Sequence, residues 1–253
     1  MSEGEAVNIR GVAAQVTVGA PPGTISIWHW YSRDQAIAAT TFSRKCGELE
    51  ANPQPSDDDL AAGLSWSPED QREHRSYVTA SILSSVAFLE ASINELYGSA
   101  SDPAIKEVGG ALTEAERNLL ADVADFIERD RTLARFQLTL HLLGKEPFDR
   151  GAQPYQDANT LVKLRNELVH YKPRRRSGDD TFTESDKWLN PLSQKQFALN
   201  PFSGGANPFF PDKCLSHGCT VWAWETALAF ADAFFVRLGV QPVYDRERNL
   251  LTP

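Results

Sequence analysis

Apolar residues recur at spacings of three and four over a long stretch in the first half of the chain. The stripe consists of Val78, Ile82, Val86, Leu89, Ile93 and Leu96. This spacing returns to the same side of an α-helix at every turn, so it predicts one helix that reaches about Tyr97. Ser67 suits the N-cap of that helix and Pro68 its first position. A long apolar stripe needs other elements to cover it, which favours a helical bundle.

Further helices are predicted on both sides of this one. Their approximate ranges are 33–50, 113–128, 133–143, 155–171 and 220–238. Thr113 followed by Glu116 matches a capping box, in which each residue satisfies a free N–H at the helix start. The helix at 220–238 is apolar almost all round, so we expect it to be central.

Two regions depart from the helical pattern. Residues 7–31 contain two short apolar runs around a turn-rich segment at 19–23, which predicts a β-hairpin. Residues 172–213 are rich in Pro, Gly, Asn and Ser, and a loop of this length is usually functional or disordered. We therefore expect a single mainly α domain over residues 1–253. It would be a helical bundle with a short N-terminal hairpin and a long loop insertion before the last helix.

Composition limits the cofactors and the compartment. Cys46, Cys214 and Cys219 are too few for a disulfide framework, and their spacing lacks the Cys-x2-Cys units of structural zinc sites. We expect no metal and no cofactor. The N-terminus lacks the pattern of a signal peptide, and the apolar stretch 221–236 carries two acidic residues and falls short of a membrane span. These features predict a cytoplasmic protein without a membrane partner.

The helix at 155–171 ends in a group of polar and charged side chains. On a helical projection Lys163, Asn166 and His170 lie on the side opposite the apolar residues. Arg165, however, falls inside the apolar arc. Because an unpaired buried guanidinium costs several kcal/mol, Arg165 needs a carboxylate or a bound anion.

Glu90 is a candidate partner for Arg165. It lies on the shoulder of the apolar stripe of the long helix, with Asn94 one turn further on. Such a pair would leave the outer nitrogens of Arg165 able to bind phosphate. Glu225 and Asp232 on the last predicted helix are alternative partners.

A basic run surrounds the end of this helix. Its members are Lys163, Arg165, Lys172, Arg174, Arg175 and Arg176, against one acidic residue, Glu167. The formal net charge of −9 argues against a broad nucleic-acid-coating surface, so an RNA-binding role has to depend on this local patch. Charge runs more often only keep a loop soluble. Both interpretations stay open at the level of sequence.

The segments RNELVHYKP and SSVAFLEASINELY resemble the HEPN superfamily, whose helical-bundle members include many metal-independent ribonucleases. The shared motif is an Arg, often followed by a polar residue, with a His after four to six intervening residues. Arg165, Asn166 and His170 match it with four. Arg135 and His141 also fit the spacing, but they lack the polar neighbour and the basic flank.

The resemblance implies an endoribonuclease that uses the RNA 2′-OH as nucleophile and needs no metal. His170 would act as general acid or base, Arg165 would stabilise the phosphorane and Asn166 would orient them. The supporting residues are Glu90, Asn94 and Tyr171. A homodimer would supply both an acid and a base, and a neutralising partner protein stays open. The alternative is a non-catalytic HEPN-like module that dimerises and binds RNA or nucleotide.

Overall fold

The computed structural model describes residues 8–9, 12–15, 26–52, 67–102, 105, 108, 111–127, 131–176, 178 and 181–253. Most of the elements in these ranges are α-helices. They are α1 (Tyr31–Glu50), α2 (Pro68–Ser101), α3 (Glu114–Ile127), α4 (Thr132–Leu142), α5 (Tyr155–Val169), α6 (Leu189–Ser193) and α7 (His217–Leu238). Tighter or wider helical turns occur at Glu184–Asp186, Phe209–Lys213 and Val243–Leu250. The predicted mainly α class is confirmed.

The long helix α2 packs against most of the other helices. All six residues of the predicted apolar stripe are fully buried. Its 34 residues extend about 51 Å, and it packs against α1, α3, α4, α5 and α7. The predicted central position of the last helix is also observed, because α7 contacts α1, α2, α4 and α5. Trp224, Phe230 and Phe234 of α7 are buried in this core, so both apolar helices are covered by the others.

The predicted helix caps are present. The Ser67 hydroxyl accepts the backbone N–H of Asp70 at 3.4 Å at the start of α2. At the start of α3, the Glu116 carboxylate accepts the Thr113 N–H at 2.8 Å, and the Thr113 hydroxyl accepts the Glu116 N–H at 3.3 Å. Gly144 follows α4 with a φ of +63°, a left-handed conformation that favours glycine. Local chemistry therefore sets these helix boundaries.

Three short strands precede α1. They are β1 (Asn8–Ile9), β2 (Val12–Gln15) and β3 (Ser26–Trp28), paired antiparallel in that order. Ala13 of β2 lies opposite Trp28 of β3. The turn predicted at 19–23 lies outside the described residues. The two-strand hairpin predicted for 7–31 therefore stays a prediction.

The segment 172–213 is more closely integrated than the predicted loop insertion. Leu189 and Leu192 of α6 are buried, as are Phe209 and Phe210 of the later helical turn. The Trp188 ring packs edge-on against Phe210 with centroids 5.4 Å apart. In its described part, the segment therefore contributes to the core. Its apolar residues recur at no regular spacing. For this reason the sequence predicted a loop here and did not show which residues are buried.

Two helices are long and apolar enough, by length and composition alone, to cross a membrane. They are α2 and α7, and 50% and 56% of their most apolar windows are buried inside the protein. We expected the stretch 221–236 in α7 to fall short of a membrane span, whereas the helix that contains it meets this criterion of length and composition. Core helices of bundles meet the same criterion, so the finding is weak evidence for a membrane and the compartment stays a prediction.

Candidate functional site

The end of α5 presents the predicted polar residues to solvent. Lys163, Asn166 and His170 are all exposed, as the helical projection predicts. His170 is the C-cap residue of α5, and its backbone N–H donates to the Asn166 carbonyl at 2.8 Å. The backbone of His170 is therefore held at the helix end, while the residue is exposed to solvent.

Arg165 forms the predicted ion pair with Glu90. Arg165 Nη2 donates to Glu90 Oε1, which also accepts the hydroxyl of Thr132 at 3.0 Å. The Arg165 side chain is 20% exposed and that of Glu90 is 40% exposed. Arg165 is thus tied to α2 while part of its side chain reaches solvent. Asn94, one turn beyond Glu90, is exposed.

Glu225 and Asp232, the alternative partners considered for Arg165, lie in different environments. Glu225 is exposed on α7. Asp232 accepts the Tyr244 hydroxyl at 2.9 Å and pairs with Arg248 at 2.7 Å. Burial is the main cause that raises the pKa of the Tyr244 hydroxyl, and the Asp232 charge adds to it. Asp232 therefore fixes the C-terminal turn to α7.

Two arginines of the basic run bind a buried carboxylate. Arg174 Nη1 and Arg176 Nη2 lie 3.2 and 3.1 Å from Asp186 Oδ1. The side chains of Asp186 and Arg176 are only 6% and 8% exposed. The Arg176 guanidinium also lies 4.9 Å from the ring centre of Phe210. Arg174 Nη2 also lies 4.0 Å from Glu167 Oε1 of α5. The two arginines therefore join the start of the 172–213 segment to its later part and to the helix end, and both already have carboxylate partners.

The remaining cations of the run are placed differently. Lys163, Lys172 and Arg175 are exposed. Tyr171 is 43% exposed, and its ring lies 5.9 Å from the Arg176 guanidinium. Because Arg174 and Arg176 are paired with Asp186, the net positive charge near His170 is smaller than the number of basic residues in the run suggests.

The second Arg–His spacing in the sequence has a different setting. Arg135 is 7% exposed inside the bundle, where its guanidinium lies 5.7 Å from the Tyr97 ring centre. His141 is exposed near the end of α4. Arg135 therefore lies in the core and His141 on the surface, so the two do not form a common site.

A buried polar cluster that was not predicted from the sequence lies where α1, α2 and α7 meet. Glu50 Oε1 accepts His74 Nε2 at 2.7 Å and the backbone N–H of His217 at 2.6 Å. The Cys46 thiol donates to the same oxygen at 3.6 Å. Burial raises the pKa of Cys46 above its usual range, and the nearby Glu50 charge raises it further. No partner of His74 could be recognised in the sequence.

Comparisons with known protein families, with curated proteins and with solved structures each found no match. The geometry of the described residues is therefore the basis for the functional assignment that follows.

Proposed function

We propose that this protein is a metal-independent endoribonuclease of HEPN type that acts as a homodimer. The observation that carries the proposal is the arrangement at the end of α5. Arg165 is held by Glu90, while Asn166 and His170 are exposed within the next five residues. A positioned guanidinium and an accessible imidazole at one helix end offer the charge stabilisation and the proton transfer that cleavage of RNA through its own 2′-OH requires.

The proposed reaction is an internal transfer at phosphorus. The 2′-oxygen attacks the neighbouring phosphate, forming a 2′-O–P bond while the bond from phosphorus to the 5′-oxygen breaks. His170 accepts the proton of the 2′-OH or donates one to the departing 5′-oxygen. Arg165 stabilises the extra negative charge of the phosphorane with its solvent-facing nitrogens. Asn166 orients the phosphate or the imidazole.

A homodimer supplies what one chain lacks. Each α5 end offers one histidine, whereas the reaction benefits from both an acid and a base. Val169 and Tyr171, on either side of His170, are 51% and 43% exposed, although both have large apolar surfaces. Self-association around this helix end would cover them and bring two copies of His170 together.

A second candidate is a HEPN-like module that dimerises and binds RNA or nucleotide without turnover. The pairing of Arg174 and Arg176 with Asp186 favours it, because it leaves fewer free cations to stabilise a cleavage transition state. In this case Lys172 and Arg175, both exposed, would provide the phosphate contacts.

The two functions are separated by an RNA cleavage assay in EDTA with untagged protein. We expect the wild type to cleave a mixed RNA pool and His170→Ala to be slower by about 100-fold or more, since a general acid or base contributes on that scale. His141→Ala is the matched control, because His141 is exposed and also follows an arginine, Arg135, with five intervening residues instead of four. It should retain the wild-type rate.

Three results of this assay are informative. No cleavage by the wild type, or equal cleavage by the wild type and His170→Ala, would refute the ribonuclease. RNA retention without products, weakened in a Lys172→Ser/Arg175→Ser variant, would support the binding module instead. Thermal unfolding in the same buffer establishes that each variant is folded.

A further inference from the structure

Cys46, Glu50 and His74 place three ligand types around one point in the interior. Cys46 and Glu50 are four residues apart on α1, so they share one face of the helix, and His74 comes from α2. One ligand atom from each residue lies within 4.8 Å of the other two. Cys46 and His74 are 0% and 2% exposed, and the Glu50 side chain is 13% exposed. We call these residues the Cys46–Glu50–His74 cluster.

We propose that the Cys46–Glu50–His74 cluster binds one Zn²⁺ ion through Cys46 Sγ, a Glu50 oxygen and His74 Nε2. Thiolate, imidazole and carboxylate are the ligands that Zn²⁺ uses in proteins, and three of them with a solvent molecule complete a tetrahedron. This site is independent of the proposed ribonuclease, because His74 lies about 24 Å along α2 from Glu90.

The spacing of the ligand atoms suits such an ion. Zn–ligand bonds of 2.0–2.3 Å in a tetrahedron place ligand atoms roughly 3.3–3.8 Å apart. Cys46 Sγ and Glu50 Oε1 are 3.6 Å apart, within that range. His74 Nε2 and Glu50 Oε1 are 2.7 Å apart, in hydrogen-bond contact. The third edge, between the Cys46 and His74 ligand atoms, is no longer than 4.8 Å. Shifts of about 1 Å or less in the His74–Glu50 and Cys46–His74 distances would therefore admit the ion.

Surrounding groups hold the ligands in place. The first backbone N–H of α7, from His217, donates to Glu50 Oε1 at 2.6 Å. The His217 ring is itself fixed, with Nδ1 3.0 Å from the Ser43 carbonyl. Hydrogen bonds of this kind orient the ligands of metal sites. The ion would thus join α1 and α2 at a place already ordered by α7.

His74 also lines a cavity of about 70 Å³ together with Arg75, Asn200, Phe202 and Asp212. A water molecule needs roughly 10–15 Å³ of such volume, so this cavity can hold water beside His74.

Binding has a defined proton balance. Zn²⁺ is bound by the thiolate form of cysteine, so binding displaces the Cys46 thiol proton to solvent. The proton of the hydrogen bond between His74 Nε2 and Glu50 Oε1 must also be removed before Nε2 can bind the ion. It moves either to His74 Nδ1 or to solvent. One or two protons are therefore released, and the affinity should rise about tenfold or more per pH unit.

Cobalt substitution tests the site directly. Untagged full-length protein is freed of metal with a chelator and titrated with Co²⁺, followed by competition with Zn²⁺. We expect saturation at one equivalent per chain with a thiolate-to-cobalt absorption band, which Cys46→Ser and His74→Gln abolish. Cys214→Ser is the matched control, because Cys214 is equally buried and lies outside the cluster, and it should keep the band.

Several outcomes would overturn the proposal. They are the absence of a saturable band in the wild type, an unchanged band in Cys46→Ser, and equal loss in Cys214→Ser. If the cluster variants do not fold, calorimetric titration of the wild type with Zn²⁺ in two buffers of different ionisation enthalpy decides the question. Release of one or two protons supports the site, and release of none refutes it. RNA cleavage in EDTA is a separate readout, so either proposal can fail alone.

Discussion

Buried and half-buried charges in this protein are matched by partners that are distant in sequence. Arg165 meets Glu90 across 75 positions, and Arg176 meets Asp186 across ten. The two pairs differ in burial, because Glu90 is 40% exposed whereas both Asp186 and Arg176 are nearly enclosed. The first should therefore contribute little to stability and the second should be difficult to disrupt.

Substitution of Asp186 tests the second pair. We expect Asp186→Asn to lower the free energy of unfolding by about 3–5 kcal/mol, because it leaves the Arg176 guanidinium buried without a counter-charge. Glu184→Gln is the matched control, since Glu184 pairs with Lys187 while 84% exposed. Its effect should be below about 1 kcal/mol. Urea unfolding curves measure both, and similar losses in the two variants would contradict the structural role of Asp186.

A buried charged residue can be recognised from the sequence when it interrupts the apolar spacing of a helix. Arg165 could be recognised because it breaks an apolar arc, and Glu90 because it borders another. Asp186 lies in a segment without periodicity, so its burial left no signal in the sequence. His74 and Glu50 are 24 positions apart on two helices, and only their packing brings them together.

At the scale of elements, helix positions follow from local chemistry. The apolar spacing of α2 and the caps at Ser67 and Thr113 set boundaries that the structure reproduces within a few residues. The segment 172–213 and the C-terminal turn Val243–Leu250 were not predictable in detail. Their order comes from single anchors, such as Trp224 Nε1 donating to the Leu251 carbonyl at 2.9 Å, rather than from a repeated pattern.

The capping box of α3 should make stability depend on pH. The backbone N–H of Thr113, and then its hydroxyl, lower the pKa of Glu116 below its usual 4.5. A lowered pKa in the folded state stabilises the protein above pH 4.5, and this stabilisation is lost as the pH falls through the folded value. Glu116→Gln should thus lose about 0.3–1 kcal/mol at pH 7 and almost nothing at pH 2.

Thermal unfolding across this pH range measures the effect. Glu114→Gln is the control, because Glu114 is an exposed acid in the same first turn and makes no capping-box contact with Thr113. The difference between the wild type and Glu116→Gln should close on acidification. A difference that stays constant from pH 7 to pH 2 would show that the carboxylate is not the stabilising group.

At the scale of the whole molecule, two polar regions lie at different points along α2. The Cys46–Glu50–His74 cluster is near its start, and Glu90 with the end of α5 is near its other end. The proposed RNA binding requires a local cationic patch because the net charge is −9, and Lys163, Lys172 and Arg175 are exposed in the second region. Dimerisation around Val169 and Tyr171 would enlarge this cationic area without changing the rest of the surface.

The chemistry of the RNA ends tests the central claim most directly. Attack by the 2′-OH leaves a 2′,3′-cyclic phosphate on one fragment and a 5′-OH on the other, and a single 2′-deoxy nucleotide blocks cleavage after it. Mass spectrometry of products formed by the wild type in EDTA should show these ends, with about 100-fold less product or lower still from His170→Ala in the same time. Products with 3′-OH and 5′-phosphate ends, or cleavage after the 2′-deoxy position, would contradict the assignment of Arg165 and His170.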